Sequence, residues 1–167
     1  WLRSISWLVI VTTCSVTLIG CGFQPLHSMN SGASAISLAK IRIAPIDDRI
    51  GQQFHNHLLD KLTPKGLSPA PRYVLHVTLT EARQNLAVRK DTVATRANLI
   101  LYASFKLVRI DDDSVLMRNS AISANSYNIL NEEFATLNAE NDARDRAVRE
   151  LSDSIRARVA IYLDNQK

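Results

Sequence analysis

The chain has 167 residues, of which 46% are hydrophobic and 22% charged, and its formal net charge is +4 at pH 7. Its size suits one domain with a modest core, and its two cysteines exclude a disulfide-rich scaffold. The mildly basic balance favours anionic partners, such as lipid headgroups, phosphorylated glycolipids or nucleic acid, without choosing among them.

The first 22 residues have the layout of a secretory signal peptide. Arg3 precedes a mostly apolar run, and small residues then lead into Cys21. The run of about 15 residues is shorter than the roughly 20 that a membrane-crossing helix needs. Because residues 18–21 read Leu-Ile-Gly-Cys, which resembles a bacterial lipobox, we predict a lipoprotein signal peptide over 1–20. An uncleaved anchor and an ordinary secretion signal are the alternatives, and we hypothesise that a few residues precede Trp1.

Cleavage before Cys21 would remove Cys14 and leave one cysteine in the mature chain. An intramolecular disulfide is then impossible, and lipidation of Cys21 would convert its thiol to a thioether. By resemblance to Gram-negative lipoproteins, Gly22 in place of an aspartate favours the outer membrane, with the domain on the periplasmic face. Nucleic acid is a poor partner for an exported protein held by a lipid.

Residues 21–40 predict a lipidated cysteine and a flexible tether, because Ser, Gly, Asn and Ala dominate without periodicity. Residues 41–167 then form a single α+β domain. Its first element is a short strand over 41–46, where Pro45 indicates a strand end or a sheet edge.

A stripe of apolar residues at i+4 spacing predicts an amphipathic helix over 49–62. The helix starts near Asp47 and Asp48 and stops at Thr63-Pro64, and residues 63–71 form a loop. The members of the stripe are Ile50, Phe54, Leu58 and Leu62.

Three strand segments follow. Alternation over 73–80 predicts a half-buried strand that continues, twisted or bulged, towards Val88. Residues 95–110 and 114–127 predict an antiparallel hairpin across the turn at 111–113.

From about Glu133 to Asn165 the period becomes helical, with one apolar ridge and one charged face. The order is therefore β-α-β-β-β-α, an α+β fold with two helices packed on one face of a four-stranded sheet. The crossover between the first two strands should be right-handed if those strands are parallel neighbours. The ridge comprises Ala143, Ala147, Leu151, Ile155 and Val159.

No pattern of catalytic, metal or cofactor residues stands out. His55 and His57 are two apart on a predicted helix, which is wrong for a shared metal, and His76 has no carboxylate or cysteine near it in sequence. The three aspartates at 111–113 lack the spacing of a calcium loop and suit a solvated turn. We therefore expect no enzyme activity, no metal and no cofactor.

Basic residues are the more suggestive feature, because arginine and lysine bind phosphate. If the strands pair as predicted, several of them could converge at one end of the sheet; scattered solubilising charge is the alternative. The residues concerned are Arg83, Arg89, Lys90, Arg96, Lys106, Arg109 and Arg118.

Asn and Ser are abundant over 119–131. A strand so polar either faces solvent or lies in a polar cavity, such as the lumen of an outer-membrane barrel. The residues alone leave both readings open.

Five segments together resemble the LPS-assembly lipoprotein LptE family in its alphaproteobacterial form. The sharpest is Cys-Gly-Phe-Gln-Pro-Leu at 21–26, and the resemblance spans essentially the whole mature chain. The other four are 43–52, 92–96, 126–128 and 139–143.

The resemblance implies two helices against a four-stranded sheet, no catalysis, and a partner, the LptD β-barrel, whose lumen such a lipoprotein plugs. It also implies a role in inserting lipopolysaccharide into the outer leaflet and binding of lipopolysaccharide by basic side chains. Arg96 is the leading phosphate-binding candidate, and Arg49 is expected to make a local ion pair. The alternative function is an independent periplasmic lipid-binding or transporter-auxiliary lipoprotein. Supporting candidates are Arg89, Lys90, Lys106 and Arg118.

Overall fold

The computed structural model describes residues 38–64, 66, 68–88 and 94–166. The predicted signal peptide and tether with Cys21, and the candidates Arg89 and Lys90, lie outside the described residues. Six elements follow in chain order: β1 Ile41–Ile43, α1 Asp48–Leu62, β2 Tyr73–Val88, β3 Ala94–Arg109, β4 Val115–Asn128 and α2 Glu133–Asp164.

The four strands form one sheet in the order β1-β2-β3-β4, with β1 parallel to β2 and the later pairs antiparallel. This confirms the β-α-β-β-β-α fold and the predicted hairpin. The irregular continuation of β2 is also confirmed, because its register with β3 shifts on both sides of Ala87. The right-handed crossover stays a prediction.

Both helices pack on one face of the sheet and bury it. Along β3 the odd-numbered side chains, from Ala97 to Leu107, are buried against the helices, as the period of two requires. The apolar ridge of α2 is buried as predicted, and its Ala143 and Ala147 allow the helix close to the sheet. The helices thus cover one face of the sheet, and no other described element covers the opposite face.

The first turn of helix α1 packs closely against the segment that precedes the helix. A Cβ atom added at Gly51 would lie 2.7 Å from Ile46 Cγ2 and 3.0 Å from the Ile46 carbonyl, so only glycine permits this approach. The helix ends where the backbone amide and the hydroxyl of Thr63 both donate to the Leu59 carbonyl at 2.8 Å. In the described part of the chain, no helix has the length and apolar character needed to cross a membrane.

Candidate functional site

The face of the sheet opposite the helices carries the most distinctive surface of the molecule. Its side chains come from alternate positions, because successive residues of a strand point to opposite faces. We call it the open face, and among the described elements neither helix lies on it. It consists of the even-numbered residues 76–84 of β2, 96–106 of β3 and 118–128 of β4.

One row of the open face is cationic. His76 pairs in register with Lys106, which pairs in turn with Arg118, so three neighbouring strands each contribute one nitrogen-bearing side chain. Neither Lys106 nor Arg118 makes an ion pair with any described residue. The row borders an open depression of about 410 Å³, also lined by Thr78, Ser104, Phe105 and Asn119.

This cationic row, His76, Lys106 and Arg118, has an unfavourable feature that an anion would relieve. Directly opposed side chains on adjacent strands have Cβ atoms about 5 Å apart, and like charges at that distance repel. Lys106 and Arg118 occupy such opposed positions. A phosphate between them would accept hydrogen bonds from both and neutralise the repulsion.

The polarity of the open face changes in steps along the strands. Next to the cationic row is a row of hydroxyls formed by Thr78, Ser104 and Ser120, and the row after that contains Tyr102 and Ile122. Tyr102 is 40% exposed and Ile122 is 64% exposed. The two-residue steps put these apolar side chains about 13 Å from the cations. The face can thus meet an anionic group at one end and apolar chains further along.

Arg96 does not join this row, so the predicted convergence of basic residues is wrong for it. It lies ten positions before Lys106 on β3, which separates the two by about 33 Å. Arg96 is opposite Asn128, and its Nε donates to Asn128 Oδ1 at 3.4 Å. The separation follows from the length of β3, which contains both residues, and the antiparallel register then places Asn128 opposite Arg96 and Arg118 opposite Lys106.

Three other basic residues are engaged elsewhere or isolated. Arg83 is on the helix-covered side, where it lies 3.4 Å from Glu140 and 5.6 Å from the ring centre of Tyr127. Arg109 pairs with Asp112 in the turn after β3 at 3.1 Å. Arg49 makes no ion pair with any described residue, so its expected local pair is not found.

The polar segment around β4 divides between the two faces. Ser123 and Asn125 point inward and are buried, and both donate to Glu150 of α2, Asn125 at 3.1 Å. Arg146 Nε in turn donates to Asn125 Oδ1 at 3.2 Å. The even-numbered residues point outward, so one strand serves both a polar helix contact and the open face.

A cluster of charged side chains joins helix α2 to strand β2. Arg144 makes two 2.8 Å hydrogen bonds to the Glu81 carboxylate of β2 and one of 2.9 Å to Glu140. Tyr127 donates to Glu140 at 2.9 Å. Burial and the adjacent Glu140 carboxylate raise the pKa of Tyr127. Burial alone would raise the pKa of Glu140, but hydrogen bonds from Tyr127 and Arg144 outweigh it and lower that pKa.

The histidines and the aspartate turn are placed as follows. In the part of the chain that the structure describes, no three His, Cys, Asp or Glu side chains are grouped so as to hold a metal. Asp112 accepts hydrogen bonds from the hydroxyl and amide of Ser114 at 2.7 and 3.1 Å, so the run is a turn, as predicted. His76 is the residue that sequence reasoning missed, because only the register of β2 with β3 reveals its cationic neighbour.

These features define a class of protein: a two-layer α+β domain that buries one face of its sheet and keeps a cationic, partly apolar face open. The lipopolysaccharide-assembly LptE family model matches residues 35–159, and the chain therefore belongs to the LptE family. Lipopolysaccharide assembly is a non-catalytic task in this family, which agrees with the expectation of no enzyme activity.

Solved structures show the same fold at low sequence identity. A candidate lipoprotein from Caulobacter crescentus CB15 has a TM-score of 0.67 at 24% identity, covering 81% of this chain and 98% of the other. A minor lipoprotein from Acinetobacter baumannii has a TM-score of 0.58 at 22% identity, covering 74% of this chain and 94% of the other. The rare lipoprotein B from Shewanella oneidensis has a TM-score of 0.59 at 12% identity, covering 75% of this chain and 97% of the other. No curated protein matches the chain.

Proposed function

We propose that the protein is an outer-membrane lipoprotein subunit of the lipopolysaccharide translocon. In this proposal Cys21 carries the lipid anchor, and the domain plugs an LptD-like β-barrel, assists its assembly and helps to insert lipopolysaccharide into the outer leaflet. The observation that carries the proposal is the family match over residues 35–159. The Leu-Ile-Gly-Cys sequence at 18–21, the names of the lipoprotein structures and the motifs typical of the alphaproteobacterial form support it.

The open face supplies the contact with lipopolysaccharide in this proposal. Lys106 and Arg118 bind a phosphate of the glycolipid, and Tyr102 and Ile122 contact its acyl chains, in the order in which these groups occur on the sheet. Arg guanidinium groups bind phosphate with two parallel hydrogen bonds, whereas Lys adds a point charge. Arg96, Arg89 and Lys90 are separate candidates, because Arg96 lies at the other end of the sheet.

A charge reversal tests the contact with lipopolysaccharide. We expect the double variant K106E/R118E to bind fluorescent lipopolysaccharide about tenfold more weakly, since two charge-assisted contacts become repulsive. The matched control is R49E/R149E, which reverses two exposed cations away from the open face. Equal binding by K106E/R118E and the wild type would refute the assignment of this row.

Crosslinking tests the partner. Photoreactive residues at Arg96, Lys106 and Tyr102 should give adducts with a large outer-membrane barrel, with lipopolysaccharide, or with both. Depletion of the protein should also reduce lipopolysaccharide at the cell surface. A stable monomer without a barrel partner in detergent extracts would refute the plug.

The alternative function, an independent lipid-binding lipoprotein, needs a lipid-sized apolar hollow between sheet and helices. Ala143 and Ala147 are fully buried where α2 meets the sheet, and Phe54 and Leu58 of α1 are also fully buried. Small side chains at a helix contact favour close packing over a hollow. The described core therefore favours the translocon subunit.

A further inference from the structure

The two edges of the sheet differ in whether other groups bind their outward-facing backbone atoms. At β4, two arginines of α2 bind backbone carbonyls that face away from β3. Arg158 donates to the carbonyl of Ser120, and Arg146 Nη2 donates to the carbonyl of Ser126 at 3.3 Å. Side chains thus occupy part of the edge where another strand would have to form its hydrogen bonds.

The β2 edge is left open over most of its length. Strand β1 pairs only with Tyr73–Leu75, and the last bond between them joins the Ala44 amide to the Leu75 carbonyl at 2.9 Å. The chain then turns away at Pro45. Because alternate residues direct their backbone groups to the same edge, Val77, Leu79 and Glu81 direct theirs to the side that β1 has left. No described strand pairs with them there.

A groove runs beside this open edge. It has a volume of about 330 Å³ and lies between β2 and the segment from Pro45 to Ile50. Its apolar lining comes from Ile46, Ile50, Val77 and Leu79, and its carboxylates are those of Asp47, Asp48 and Glu81.

The groove contains three carboxylates, and an ion pair neutralises one of them. Arg144 pairs with Glu81. Asp47 and Asp48 are exposed and make no ion pair with any described residue. An apolar groove lined by two exposed carboxylates complements a strand that presents apolar and basic side chains on one face.

We propose that this edge binds an extended segment of another polypeptide, which adds to β2 in line with β1. The backbone of that segment pairs with Val77, Leu79 and Glu81. One of its apolar side chains enters the groove beside Ile46, and a Lys or Arg on the same face meets Asp47 and Asp48. This mode of recognition takes its affinity from main-chain hydrogen bonds and its specificity from side-chain pockets.

The proposal goes beyond lipopolysaccharide assembly and does not depend on it. The groove lies at a sheet edge, on the side that the helices cover, whereas the lipopolysaccharide contact was assigned to the opposite face. A peptide can therefore bind at β2 whether or not the cationic row binds a glycolipid.

The test uses the purified full chain in detergent and a fluorescent peptide of about ten residues with the repeat Val-Thr-Lys-Thr, so that valine and lysine lie on the same face of the strand. On binding, we expect the amides of Val77, Leu79 and Glu81 to exchange at least about tenfold more slowly with deuterium. The outward amides of Ile122 and Ala124 on β4 should not change. Protection at β4 instead of β2, or no binding, would overturn the proposal.

Two controls separate strand addition from simple charge attraction. The same peptide with all its backbone nitrogens methylated has no N–H group to donate to β2 and should not bind; equal binding would overturn the pairing. Protection of the β2 amides that rises with protein concentration alone would identify a second copy of the chain as the occupant and overturn the choice of a basic partner.

The carboxylates are tested with a matched pair of double variants. We expect D47N/D48N to weaken peptide binding about fivefold, the effect of two exposed ion pairs. Asn suits position 48, where φ is +68°, as well as Asp does. The control D60N/D111N removes two exposed carboxylates elsewhere and should bind as the wild type does. An unchanged affinity of D47N/D48N would refute the charge complementarity.

Discussion

Replacing Arg144 with methionine should lower the free energy of unfolding by about 2 kcal/mol. The guanidinium makes four hydrogen bonds of 2.8–2.9 Å, two to Glu81 of β2 and one each to Glu140 and Asn141 of its own helix. The Arg144 and Glu140 side chains are each 21% exposed and that of Glu81 is 32% exposed. Exposed pairs contribute about 0.2–1 kcal/mol, and breaking a buried pair costs about 3–5 kcal/mol, so partial burial gives an intermediate value.

Urea unfolding followed by circular dichroism measures this change, because the slope reports whether the variant unfolds in the same way. Methionine keeps most of the aliphatic volume, so the loss reports the charge and its hydrogen bonds. The matched control is R149M, an exposed arginine of the same helix, for which we expect a change of less than about 0.5 kcal/mol. An R144M variant as stable as R149M would refute the view that this cluster joins α2 to β2.

Three further changes test other parts of the structure. G51A should lose about 1 kcal/mol in urea unfolding, because the clash with Ile46 outweighs the helix propensity of alanine. At pH values above the ordinary pKa of glutamate, near 4.5, the ionised Glu140 should stabilise the fold, and this stabilisation should be lost as the pH falls through its lowered pKa. The urea midpoint of E140Q should therefore fall less steeply than that of the wild type as the pH is lowered. K106Q should raise the unfolding free energy by a few tenths of a kcal/mol, since it ends the repulsion with Arg118.

Each of these changes has a control and a contrary outcome. Q52A alters the position next to Gly51 without the clash and should keep wild-type stability; a more stable G51A would contradict the close contact. E133Q, an exposed first-turn glutamate of α2, should leave the acid profile unchanged, and an E140Q profile as steep as the wild type would contradict the pKa assignment. R72Q is the control for K106Q, and a less stable K106Q would show that the row is not strained.

The elements themselves could be predicted from the sequence because periodicity is local. Apolar residues at every fourth position predicted α1 to within one residue of its observed start at Asp48, and the alternation in β2 and β3 predicted the strands. Pro45 predicted a strand end or an edge, and β1 is an edge strand. Each of these signals depends on neighbours along the chain, and therefore no tertiary information was needed.

The candidate site could be predicted only in part, because it depends on register. The sequence contains Lys106 and Arg118 as two cations among many, and only the β3–β4 pairing makes them direct neighbours. The β2–β3 pairing brings His76 into the row, whereas Arg96 lies at the other end of the sheet because ten residues of β3 separate it from Lys106. Shifting a strand by one residue would turn all its side chains to the other face, and composition does not determine that choice.

The open face carries side chains that do not favour the stability of the fold, and they are the strongest physical argument that this face binds a ligand. Stability alone would not select two opposed cations at Lys106 and Arg118 or an isoleucine at position 122 that is 64% exposed. The covered face supplies compensation through its apolar core and the Arg144 cluster, which hold the sheet without help from the other side. A surface that repels itself when free and is neutralised by an anion gains its stability on binding, as a site for a phosphorylated glycolipid requires.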